Sequence, residues 1–199
     1  RLSSALERFL YKRANAITVH SEGNREYVAA RGAPPQRVHV VPNWVDLQSM
    51  RPGPRINEWR TTQGLDNAFV VSFAGNMGFA QGLEDVVQIA ERLQDRRDMT
   101  FVLAGDGALR EPLQNMALGK GLKNLRFLPP QAGQSYTELL QASDVCLVTL
   151  HKDLKTPVVP GKLQSIMAAG RPTICWANPA SDAKRIIEAA GCGLFVPAG

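Results

Sequence analysis

From residue 68 onward, apolar runs of strand length alternate with stretches whose apolar positions recur every three or four residues. Phe69–Ala74 reads as a strand. Residues 82–94 read as a helix with Leu83, Val86, Val87, Ala90 and Leu93 on one face. A strand at 100–104 ends in Gly105-Asp106-Gly107, and the next helix turns Leu109, Leu113, Met116 and Ala117 inward. A strand at 124–128 is stopped by Pro129-Pro130. Ser135 and Glu138, at capping-box spacing, open a helix that runs through Ala142. Strands at 145–149, 173–176 and 194–196 are separated by helices at 162–169 and 183–190. Six strands alternating with five helices predict an α/β fold with a doubly wound parallel sheet. Crossovers in such a sheet are right-handed, and ligands lie at the strand carboxyl ends where the strand order reverses.

The first fifty residues follow another rhythm. Ser4 and Glu7 have capping-box spacing before a helix through Lys12, whose apolar stripe is Leu2, Leu6, Phe9 and Leu10. A short strand at 16–20 precedes Ser21, which caps a helix at 22–30 closed by Gly32. A second strand occupies 38–41. Pro42-Asn43-Trp44-Val45-Asp46, followed by Pro52, Gly53 and Pro54, reads as a linker. The boundary falls near residue 50, so residues 1–50 are the tail of one α/β domain and residues 51–199 form a second domain.

The 199 residues are 44% hydrophobic, enough for a core, with no apolar run long enough to span a membrane. With no initiator methionine and no signal-peptide pattern, the chain is expected to be a cytoplasmic fragment. Cys146, Cys175 and Cys192 are scattered through apolar runs and read as reduced thiols rather than disulfides or metal ligands. The net charge of +5 is uneven. Residues 1–60 carry ten Lys/Arg and five Asp/Glu, and the remainder carries equal numbers of each. A basic N-terminal part suits either an ordinary solvated helix face or peripheral contact with the inner face of an anionic membrane. Nucleic acid is not an expected partner, because no basic cluster is interleaved with aromatics. His20, His39 and His151 have no partners at metal-ligand spacing and read as structural. Asp106 and Asp144 stand apart from any Asp-x-Asp pair, so no metal site is expected.

Three loops follow strands. Gly75-Asn76-Met77-Gly78 lets the backbone approach a ligand, yet it matches neither a dinucleotide fingerprint nor a P-loop. Gly105-Asp106-Gly107 is either a plain tight turn or part of the same site. At Leu128-Pro129-Pro130 the chain leaves the sheet, so Leu128 is expected to offer a free carbonyl and N–H to a flat base. Pro160-Gly161-Lys162 then sets a lysine at a helix start, with Ser165 one turn on, where unpaired N–H groups and the helix dipole favour a phosphate. The alternative is an ordinary crossover helix with a solvated lysine.

Taken in order, these segments resemble the nucleotide-sugar glycosyltransferases of the two-domain GT-B type, family 4, the group 1 transferases. Ile17-Thr18-Val19-His20-Ser21-Glu22 resembles the end of the family's acceptor domain, and Val41-Pro42-Asn43-Trp44-Val45-Asp46 its linker. Ala74-Gly75-Asn76-Met77-Gly78, Gln81-Gly82-Leu83, Leu103-Ala104-Gly105-Asp106-Gly107, Phe127-Leu128 and Ala142-Ser143-Asp144 follow its donor domain in order. Met167-Ala168-Ala169-Gly170-Arg171-Pro172 and Ala190-Gly191-Cys192-Gly193 close the match. The family's paired glutamates are replaced by Pro157 and Ser165, and its usual lysine by Gln81. With Pro160-x-Lys162, these departures resemble the amino-deoxysugar transferases of O-antigen and capsule synthesis.

The resemblance implies a truncated GT-B donor domain, lacking its final helices, of a retaining, metal-independent enzyme. The donor would be a nucleotide diphosphate sugar, UDP-linked, with no further cofactor, and the acceptor a glycan or lipid-linked sugar. The pyrophosphate would lie between residues 75–78 and Lys162, which would stabilise the leaving diphosphate, with the base near Leu128 and Pro129. This piece alone is expected to bind without turnover. Two other readings stay open: a sugar-nucleotide epimerase of the same fold, and a non-catalytic nucleotide-binding module.

Overall fold

The computed structural model describes residues 2–154 and 156–198, with side chains described from residue 4. Its larger sheet contains β3 (Phe69–Ala74), β4 (Met99–Ala104), β5 (Leu125–Leu128), β6 (Val145–Thr149), β7 (Thr173–Ala177) and β8 (Gly193–Pro197). All six strands are parallel, in the order β5-β4-β3-β6-β7-β8, which is the expected doubly wound sheet. Ala74, Ala104 and Leu128 stand side by side, so three strands end level. The chain winds outward from β3 through β4 to β5, returns past β3 to β6, and winds outward again. The order therefore reverses between β3 and β6, where a crevice opens at the carboxyl ends.

Helices pack on both faces, leaving one side of β6–β8 open, which explains why most strands read as continuous apolar runs rather than alternating ones. On one face, α4 (Glu84–Arg92) and α5 (Arg110–Gly119) bury Val86, Val87, Ala90, Leu113 and Ala117 against Phe73, Phe101 and Leu103. On the other, α6 (Gly133–Ala142), α7 (Lys162–Ala168) and α8 (Asp182–Ala190) bury Leu139, Leu140, Leu163, Ile166 and Ile187 against Val70, Val102, Val148 and Cys175. Helix α4 begins later than the apolar period suggested. Gly82 takes a left-handed φ of 57°, and a Cβ there would lie 3.3 Å from the His151 Cα, so the helix starts beyond it.

Between the expected linker and β3 lies a helix that the sequence reading does not assign, α3 (Glu58–Thr62), capped by Asn57, which accepts the Arg60 N–H at 3.0 Å. Arg60 is fully buried at the foot of the sheet. It donates to the carbonyls of Leu65 (2.9 Å), Ala68 and Ala142 and pairs with Asp144 at 3.2 Å. Asp144 also accepts the Val70 N–H at 2.7 Å and pairs with Arg55 at 2.8 Å. Burial pushes the Asp144 carboxyl up, but the Val70 N–H and the two guanidiniums together hold it below its ordinary value. The solitary aspartate of the sequence is thus a structural anchor joining α3, β3 and β6. The preceding segment is strapped to the same domain: Met50 is buried in its core, and Gln141 and Arg171 donate to the carbonyls of Arg51 (2.7 Å) and Gly53 (2.6 Å).

The N-terminal part forms α1 (Leu2–Arg13), β1 (Ile17–Val19), α2 (Glu22–Ala29) and β2 (Val38–Val40). Strands β1 and β2 pair in parallel over a small core of Val19, Val28, Ala33 and Val38. Ser21 caps α2 by accepting the Asn24 N–H at 3.1 Å. The two expected capping boxes are not helix starts. Ser4 lies inside α1, and Ser135 lies inside α6, which follows Ala132. A Ser-x-x-Glu spacing fits any helical turn, so it marks a boundary only when the serine leaves the helical conformation. Leu6, Phe9 and Leu10 are more than half exposed, while Leu2 of that stripe lies outside the described side chains. Cys146 and Cys175 are buried free thiols and Cys192 is half-buried.

Candidate functional site

The loops after β3 and β4 are joined into one wall. A Cβ on Gly105 would lie 1.8 Å from the Gly75 carbonyl oxygen, so only glycine permits this approach. The Met77 N–H donates to the Asp106 carbonyl at 2.7 Å, and the Leu109 N–H donates to the Met77 carbonyl at 2.9 Å. Most of the loop amides are consumed in building the wall. Gly75 donates to Ala104, Gly78 to the Gln81 side chain, Gly105 to Leu128 and Gly107 to the Asp106 carboxylate. Among the described residues, the N–H groups of Asn76 and Asp106 have no protein acceptor.

Opposite this wall, α7 begins at Lys162. The N–H groups of Gly161 and Lys162 also find no acceptor among the described residues, while the Leu163 N–H returns to the Pro160 carbonyl at 3.0 Å. The Lys162 ammonium lies 3.4 Å from the centroid of the Phe73 ring and 3.2 Å from where a Gly75 Cβ would stand. Lys162 keeps some surface open, but protein atoms crowd its ammonium. Desolvation without a compensating carboxylate pushes its pKa down to about 7. The ring face offsets part of that loss. A cation held this way gains more from an arriving anion than a solvated lysine does.

Between the two walls lies a cleft of about 570 Å³. Of the residues singled out in the sequence, it collects Gly75, Asn76, Gly105, Asp106, Gly161, Lys162 and Ser165. Six others stay out of its lining. Met77 is fully buried beneath the wall; Gly78, Gly107 and Pro160 brace the loops; Leu128 and Pro129 stand behind them. The expectation that Leu128 offers a free carbonyl fails, because the β4–β5 ladder runs one residue further and that oxygen accepts the Gly105 N–H at 3.1 Å. From the Leu128-Pro129-Pro130 loop the cleft takes Pro130 instead, and it gains Gln131 and Tyr136, which arrive on the crossover from β5 and carry no local sequence signal. Gln131 is fixed by a bond from Trp59 Nε1 (3.4 Å) and its own donation to the Pro129 carbonyl (2.9 Å). Burial pushes the Tyr136 phenol up, with the Ser165 side chain acting the other way.

A larger trough of about 1000 Å³ lies elsewhere, over the face of β6, β7 and β8 beside α4. Its floor is Val145, Leu147, Ile174 and Trp176, an apolar sheet face, and its rim reaches His151, Lys152, Pro197 and Ala198 at the strand ends. The smaller cleft is the candidate site, because there a desolvated cation and unpaired amides converge at the reversal of strand order.

Residues 68–199 match the family described as "Glycosyl transferases group 1", and residues 1–49 match "Glycosyltransferase Family 4". The chain is 27% identical over 191 residues to the putative colanic acid biosynthesis glycosyl transferase WcaI of Escherichia coli K12, covering 94% of this chain and 47% of that protein. It is 28% identical over 206 residues to the probable glycosyltransferase WbjE of Pseudomonas aeruginosa, covering 99% and 49%. The chain thus spans about half the length of these relatives. The crystal structure of Anabaena Alr3699/HepE in complex with UDP superposes with a TM-score of 0.83 at 19% identity, over 99% of this chain and 55% of that one. The fold is of the GT-B type, and the chain belongs to the group 1 glycosyltransferases.

Proposed function

We propose that this chain is the donor-binding part of a retaining glycosyltransferase. It moves a sugar from a UDP-linked donor to a glycan or lipid-linked acceptor in cell-surface polysaccharide synthesis. The observation that carries the reading is Lys162, a desolvated cation without an anionic partner, facing the unpaired N–H groups of Asn76 and Asp106. A diphosphate satisfies both needs at once. The UDP in the HepE crystal and the colanic acid role in the name of WcaI support this choice of donor and pathway class. Residues 1–50 belong to the acceptor side of such an enzyme.

In the transfer, the bond from the anomeric carbon to the β-phosphate oxygen breaks and its electron pair leaves with the diphosphate. The acceptor oxygen bonds to the same face of that carbon, and its proton passes to the departing diphosphate. Charge builds on the leaving oxygens, where the Lys162 ammonium stabilises it. This reading assigns charge neutralisation to Lys162. The neutral polar side, Gln131, Tyr136 and Ser165, faces the rest of the donor.

Calorimetric titration with UDP tests the reading. The Lys162→Ala chain is expected to lose UDP affinity while keeping its fold, and unchanged affinity would sink the assignment. Peripheral contact with the inner membrane is a separate part of the proposal. It rests on Arg8, Lys12 and Arg13, which share α1 with exposed Leu6, Phe9 and Leu10. Co-sedimentation with anionic but not neutral vesicles is its expected signature. No helix among the described residues is long and apolar enough to cross a membrane.

A further inference from the structure

The walls of the cleft belong to different segments, and something must hold them in register. The turn at Phe79–Gln81 sits between them. Gly78 is extended, with φ −108° and ψ 175°, and its N–H donates to Gln81 Oε1 at 3.1 Å, which ties the end of the 75–78 loop to the turn. One residue earlier, the Ala80 carbonyl accepts the His151 N–H at 2.8 Å. His151 opens the segment that leads from β6 to Lys162. Gly82 packs directly on His151, with no room for a side chain. The turn therefore touches the Asn76 wall on one side and the approach to the Lys162 wall on the other. Gln81 itself does not line the cleft.

We propose that Gln81 is a positioning residue of the donor site. By accepting the Gly78 N–H, it fixes the 75–78 loop so that the unpaired Asn76 N–H keeps its place opposite Lys162. Its effect on binding passes through the loop, since it does not touch the ligand. An amide side chain suits the task because its carbonyl accepts the N–H without placing a negative charge near a diphosphate. This inference rests on the donor-site reading above.

The test combines UDP titration with amide exchange at residues 75–78, on the wild-type chain and on Gln81→Ala and Gln81→Glu. Gln81→Ala is expected to lower UDP affinity about five- to tenfold, the scale of one lost net hydrogen bond, and to speed exchange at Gly78. Its melting temperature should fall by no more than the few degrees one hydrogen bond accounts for, so that the loss of affinity is read on folded protein. Gln81→Glu keeps an acceptor and should restore Gly78 protection while leaving UDP affinity low, because its carboxylate repels the diphosphate. If UDP binding depends on Lys162 yet Gln81→Ala changes neither affinity nor Gly78 exchange, the positioning role is overturned and the donor reading stands. If the wild-type chain does not bind UDP, the donor reading fails and this inference fails with it.

Discussion

Two desolvated cations sit at opposite ends of the same sheet and are treated in opposite ways. Arg60, at the foot, is fully buried and every side of its guanidinium is used: three carbonyls accept from it and Asp144 neutralises it. Lys162, at the carboxyl ends, has an aromatic face beneath it and no carboxylate. A buried charge with a full set of partners is part of the architecture, and removing one partner strands the rest. A desolvated charge without partners costs stability and is retained where a ligand completes it. The contrast separates what holds the domain together from what it binds.

Breaking the paired end should have the largest effect. Arg60→Ala opens a cavity at the foot of the sheet and takes the donor from the Ala68 and Ala142 carbonyls, while Asp144 keeps Arg55 and the Val70 N–H, and it should cost about 3–5 kcal/mol in urea denaturation. UDP affinity of the molecules that remain folded should not change. Lys162→Met should behave the other way. Its UDP affinity is expected to fall about ten- to a hundredfold, since charge-assisted bonds contribute about 1.5–3 kcal/mol, while its stability at neutral pH stays equal or rises. If Lys162→Met unfolds like Arg60→Ala, the two cations are alike and the comparison collapses.

A smaller effect is expected from Gly75→Ala. The residue has φ +142°, and a Cβ would stand 3.2 Å from the Lys162 ammonium. Strain of about 1–2 kcal/mol and a several-fold loss of UDP affinity should appear together in denaturation and titration. Smallest is the pH dependence of stability, because Lys162 keeps some surface open and solvent screens part of the shift. In the folded chain its pKa is about 7 against an ordinary 10.5. Between those values the unfolded chain holds a proton that the folded chain has released. Wild-type stability should therefore rise relative to Lys162→Met as pH increases through that window. A difference that stays flat or falls would mean the lysine is solvated.

How much of this was readable in the sequence follows from which interactions are local. The six strands and the helices between them were, because parallel strands covered on both faces are apolar runs and their helices keep a strict period. Helix α3 was not, because one of its two buried residues is an arginine and its neighbours are rich in proline and glycine. Lys162 was visible as a cation at a helix start. Its desolvation was not, since that depends on Phe73 from another strand. Gln131 and Tyr136 reach the cleft on a long crossover, and nothing near them in sequence marks them. Leu128 was misjudged because its carbonyl partner, Gly105, lies on the adjacent strand's loop.

The central claim is that Lys162 waits, largely deprotonated above neutrality, for a diphosphate that restores its charge. Proton uptake on UDP binding tests it most directly, measured calorimetrically at pH 8 in buffers of different ionisation enthalpy. The wild-type chain should take up about one proton per UDP bound, and Lys162→Met should take up none and bind far more weakly. Equal affinity for the two proteins, with no proton uptake by either, would contradict the account.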